Sequence, residues 1–115
     1  TNYNGDIFGG WLLSQMDLAG VSLCNSICYG RYVTMTIDRM VFRKPVKIGD
    51  IVEILGRVNK IGNTSMEVDL KVQTTSMETG KIKQVTEGII KYVKIDESGN
   101  PIVINPTDHT ESHQN

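Results

Sequence analysis

Between Gly9 and Asn25 apolar residues fall at Trp11, Leu12, Leu13, Met16, Leu18, Ala19, Val21, Leu23 and Cys24. On a helix these positions cover most of the circumference instead of one narrow stripe. A helix apolar nearly all round is expected to be buried nearly all round. Ser14, Gln15, Asp17 and Ser22 are the few polar interruptions. Asp17 stands in the middle of the apolar stretch, where a carboxylate is costly unless something compensates it.

After Val33 the period changes from that of a helix to two. Val33, Met35 and Ile37 alternate with Thr34, Thr36 and Asp38. Met66, Val68, Leu70 and Val72 alternate with Glu67, Asp69, Lys71 and Gln73, the pattern of a half-exposed strand. Ile51 to Val58 and Val85 to Ile95 are richer in apolar residues and are expected to be more central strands. Turns are predicted at Gly49-Asp50, Gly62-Asn63, Glu78-Thr79-Gly80 and Ser98-Gly99-Asn100. Connections this short exclude the helical crossovers of a parallel sheet. The reading is therefore α+β, one helix with an antiparallel sheet, in a single domain over residues 1–105. Residues 106–115 are polar and aperiodic, and are expected to be a disordered tail.

A domain of 115 residues buries a moderate share of its surface, so the remaining apolar face is expected to be hidden by homo-oligomerisation. The net charge of -1 gives no electrostatic reason to expect nucleic acid or an anionic membrane as partner. No apolar run approaches the roughly 20 residues that span a bilayer, and no secretory signal is visible. Two cysteines, Cys24 and Cys28, are too few for a disulfide scaffold, so a reducing, cytoplasmic setting is expected. Their spacing is not that of a redox or zinc pair, and core packing is the expected role. The chain begins at Thr1 without a methionine, leaving room for a preceding piece.

Gly5, Gly9 and Gly10 match neither nucleotide-binding glycine pattern. They serve either the turn alone or the close approach of a ligand to the helix start, where free N–H groups favour negative charge. Asp17 is either a buried aspartate capping a neighbouring loop or a general base or nucleophile. Both histidines, His109 and His113, lie in the polar tail, and no metal-ligand motif surrounds them. The body of the domain thus offers no imidazole for a Ser-His-Asp or Cys-His arrangement. Any catalysis has to run on carboxylates, amides, hydroxyls and backbone donors.

The segment Thr1-Asn2-Tyr3-Asn4-Gly5-Asp6-Ile7-Phe8-Gly9-Gly10-Trp11, continuing through Ser14-Gln15-Met16-Asp17, resembles the helix-start motif of YciA-type acyl-CoA thioesterases of the hot-dog fold. Met40 to Asp50, with its Lys44-Pro45 and Gly49-Asp50, is similar to that family's second block. Lys60 to Ser65 resembles a third. The resemblance extends to about Asn105, and the family pattern carries a further strand ahead of the Thr-Asn motif.

The resemblance implies one long helix wrapped by an antiparallel sheet, in dimers with a continuous sheet and active sites at the dimer interface, often assembled as trimers of dimers. It implies hydrolysis of acyl-CoA to free acid and CoA without metal or cofactor. It makes Asp17 the catalytic carboxylate and Asn4 its partner from the loop. In the mechanism expected on that basis, Asp17 activates water or attacks the thioester, and backbone N–H groups around Gly10 hold the oxyanion. Arg43, Lys44, Gly62, Asn63, Thr64 and Ser65 are the candidates for contacting CoA. Two rivals are a hot-dog dehydratase, which usually needs a core histidine, and a non-catalytic acyl-CoA-binding module.

Overall fold

The computed structural model describes residues 6–7 and 9–105, with side chains from residue 9 onward. Asn4, the rest of the first motif up to Gly5, and the tail with His109 and His113 lie outside the described residues. The elements run β1 (Asp6–Ile7), α1 (Gly9–Ile27), β2 (Arg31–Phe42), β3 (Val46–Lys47), β4 (Ile51–Ile61), β5 (Ser65–Thr75) and β6 (Ile82–Ile95). Strands β2, β6, β5 and β4 form one sheet in that order, antiparallel throughout. The short pair β1 and β3 forms a second, with Asp6 opposite Lys47 and Ile7 opposite Val46. Sequence periodicity gave no sign of this pair, because two residues are too few to carry a period.

Helix α1 packs along the four-stranded sheet. It ends two residues later than predicted. The Asn25 side chain accepts the Gly30 N–H at 2.9 Å and so closes the last turn. The final turn holds no basic residue of its own. Lys94 of β6, only 7% exposed, supplies the cation there, its Nζ 3.3 Å from Cys28 Sγ. Positive charge at a helix C-terminus is stabilising. Both cysteines are free and fully buried in the core. Burial pushes the Cys24 thiol up to about 12, so it stays an inert thiol.

Two expectations need correction. The helix is not buried nearly all round within one chain. Leu12, Met16, Gly20 and Cys24 form one buried stripe four residues apart, while Trp11 and Leu18 are exposed. One sheet can cover only one side of a cylinder, so the rest of the apolar circumference stays open. The second correction concerns β4. It is an edge of the four-stranded sheet, and Ile51, Leu55 and Ile61 on it are exposed. Only β6, of the two apolar-rich strands, is central. An apolar-rich strand can be central or can await another covering element, and composition does not separate these. The opposite edge, β2, leaves Val33, Met35 and Ile37 exposed as well.

Candidate active site

Asp17 lies in the third turn of α1, half-buried where the helix crosses β2 and β6. Thr34 of β2 donates its hydroxyl to Asp17 Oδ1 at 2.7 Å. The Tyr92 hydroxyl of β6 directs its one proton at two acceptors, the same Oδ1 at 3.0 Å and the Asp17 main-chain oxygen at 2.9 Å. Thr34 and Tyr92 are cross-strand neighbours in the β2–β6 register, so the two hydroxyls converge because the strands pair as they do. Tyr92 is fully buried. Burial, and then the negative charge of Asp17, push its phenol far above the ordinary value, so it remains a donor.

This contact depends on a residue with no side chain. A Cβ built on Gly20 would lie 2.0 Å from the Tyr92 hydroxyl oxygen. Gly20 stands three residues after Asp17, on a neighbouring part of the helix surface. Glycine costs about 1 kcal/mol in a helix interior relative to alanine, and here it lets the phenol reach the helix backbone. The sequence reading missed Thr34, Tyr92 and Gly20 as site residues. Two signals could have found Tyr92 and Gly20: a phenol in an apolar strand needs a buried partner, and a mid-helix glycine marks a close approach.

At the start of the helix the surroundings are different. Gly9 packs against the ring of Phe42, with an added Cβ 3.3 Å from it, whereas a Cβ on Gly10 would meet nothing within 4 Å. The first turn leaves backbone N–H groups without helical acceptors. Beside it lies a groove of about 270 Å³ walled by Leu12, Phe42 and Pro45 and reached by Arg43 and Lys44. Lys44 is exposed there. Arg43 is engaged by Glu87, with Nη2 3.0 Å from Oε1, an exposed pair that other anions can compete for.

The structure thus brings Arg43 and Lys44 into the groove that Gly9 lines, at the start of the helix. It does not bring Gly62, Asn63, Thr64 and Ser65 to them. That turn joins β4 to β5 and is pinned by three backbone bonds: Gly62 N to Ser65 O, Lys94 N to Thr64 O and Ile104 N to Asn63 O. Ser65 pairs with Val93, whereas Phe42 pairs with Thr86. Seven residues of β6 separate those rungs, about 23 Å at the rise of an extended strand. Gly10 and Asp17 are likewise apart. Seven helical residues put their backbones about 10 Å from each other along the axis.

The thioesterase superfamily model matches residues 4–81. The acyl-CoA thioester hydrolase YciA of Escherichia coli K12 is 42% identical over 104 residues, covering 88% of this chain and 79% of its own. Among solved structures, a hexameric thioesterase from Yersinia pestis is 42% identical with a TM-score of 0.87, over 91% of this chain and 86% of that one. A hexameric hot-dog fold thioesterase of Campylobacter jejuni is 35% identical with a TM-score of 0.84, over 98% and 86%.

Proposed function

The chain belongs to the thioesterase superfamily, and from that premise we propose that it hydrolyses acyl-CoA to a free carboxylic acid and CoA, with Asp17 as general base or nucleophile. The observation that carries the mechanism is the held carboxylate. Thr34 and Tyr92 both donate to Oδ1, and no described residue donates to Oδ2. Oδ2 is then the oxygen that takes a proton from water, or that attacks the carbonyl carbon directly. In either route the C–S bond breaks and the sulfur leaves as thiolate, a good leaving group that needs little acid help; in the direct route the resulting Asp17 mixed anhydride is then cleaved by water, which releases the acid and restores the carboxylate. No histidine occurs between Thr1 and Asn105, which suits this chemistry and not that of a dehydratase.

A reacting carbonyl must lie about 3 Å from both the base and the oxyanion donors. Within one helix Asp17 and the Gly10 N–H are too far apart for that. Two copies related by a two-fold axis resolve the difficulty, each lending its helix start to the other's Asp17. The same axis would carry Arg43 and Lys44 of one protomer toward the Gly62–Ser65 turn of its partner, so that both reach one CoA. The exposed apolar edge of β2, with Trp11 and Leu18 on the helix, is the surface such a dimer would cover. Trimers of these dimers would match the hexameric relatives. Asn4 would orient the water or the carbonyl from the loop. The setting we assign is the cytoplasm, where two free thiols stay reduced. Among the described residues no helix is long and apolar enough to cross a membrane.

The test is thiol release from butyryl-CoA and octanoyl-CoA by wild type and Asp17→Ala. A loss of about 10²- to 10⁴-fold in kcat is expected, the usual worth of a positioned base. Equal rates would remove Asp17 from the mechanism. Tight CoA binding without turnover by wild type would favour a binding module instead.

A further inference from the structure

We propose that Tyr92 is a positioning residue for Asp17, and that Gly20 exists to admit it. The inference rests on the hydrolase reading above and specifies which carboxylate oxygen reacts. Asp17 lies on a helix surface that stays partly open in one chain, where a free carboxylate would sample several rotamers. Thr34 alone restrains Oδ1 by one distance, which leaves more than one side-chain rotamer able to satisfy it. The Tyr92 hydroxyl adds a second point. It lies between the Asp17 side-chain Oδ1 and the Asp17 main-chain oxygen, tying the side chain to its own backbone. With Oδ1 held by two hydroxyls, Oδ2 is the carboxylate oxygen to which no described residue donates.

The tyrosine ring is anchored independently of its hydroxyl, since Tyr92 is fully buried in the core with Met66 opposite it on β5. The hydroxyl therefore arrives at a fixed place, set by the sheet and not by the helix. Gly20 is the complement on the helix side, because any Cβ there would occupy the position of that hydroxyl. The phenol remains protonated for the reasons given above, so it donates throughout the pH range in which a thioesterase would be assayed.

Tyr92→Phe keeps the ring and deletes the hydroxyl. The expected result with butyryl-CoA is a fall in kcat on the order of 10- to 100-fold, the scale of a misplaced reacting group, with KM within about 2-fold of wild type. Asp17→Ala/Tyr92→Phe should be no slower than Asp17→Ala, because a positioning residue has nothing left to position. Gly20→Ala should reproduce the kcat loss by displacing the hydroxyl. Wild-type kcat in Tyr92→Phe, with Asp17→Ala inactive, overturns the positioning role and leaves the hydrolase reading intact. A Tyr92→Phe protein with a lowered melting temperature but an unchanged kcat per folded subunit assigns Tyr92 to packing and also overturns it. Absence of thiol release by wild type would sink both proposals together.

Discussion

The middle of α1 and its start are built in opposite ways. Around Asp17 the groups are already engaged: two hydroxyls from neighbouring strands hold one carboxylate oxygen, and a glycine makes room for one of them. At the helix start the chain presents backbone donors, open space at Gly10 and, beside Gly9, a groove with two cations at its rim. The first arrangement is complete within one chain. The second has the form of a receptor for something outside it. Preorganised charge at one place and open donors at the other are the two halves a thioester carbonyl requires, and a single helix keeps them about 10 Å apart.

The sharpest way to break this comparison is to separate the copies. Met35→Asp on the exposed centre of β2 places a charge where a second sheet edge would pair, a device that natural edge strands use against association. Analytical ultracentrifugation should then show monomers, and thiol release should fall to background although Asp17, Thr34 and Tyr92 stay together. A fully active monomer would show that one chain suffices.

A smaller effect is expected from Gly10→Pro, which deletes one N–H where proline is tolerated in the first helical turn. The loss of one oxyanion donor should cost about 10²- to 10³-fold in kcat. Its value lies in mixing. Equal amounts of Gly10→Pro and Asp17→Ala, dissociated and reassembled, should regain about a quarter of wild-type activity. Half of the two-fold dimers would be mixed, and each would carry one intact site of two. No recovery would mean that Gly10 and Asp17 act within the same chain.

The smallest effect is at the groove. Arg43→Ala/Lys44→Ala should raise KM for acyl-CoA by about 5-fold or less, since exposed ion contacts contribute about 1 kcal/mol at most. Added salt should narrow the difference between wild type and variant, because exposed charges are screened. An unchanged KM would withdraw both residues from CoA binding.

Much of this was legible in the residue order. The helix, the four long strands and the four predicted turns fall near where periodicity and turn chemistry put them, because those signals are local; the connections from α1 to β2 and from β2 to β3 carried no such signal. Asp17 stood out because a carboxylate in an apolar helix is a local anomaly. What the order of residues could not specify was adjacency. Thr34 and Tyr92 are 17 and 75 residues from Asp17, and they meet it because β2 and β6 pair in one register. Strand period says which face a side chain takes, and only register says whom it faces. The same limit misplaced β4, since an apolar strand looks alike at the centre of a sheet and at an uncovered edge. Nor could residue order show that the Arg43–Lys44 and Gly62–Ser65 groups stand at opposite ends of the strands within one chain. The sequence by itself determined the elements and the one costly carboxylate. The tertiary structure decided which hydroxyls restrain that carboxylate, and how far it stands from the donors it must work with.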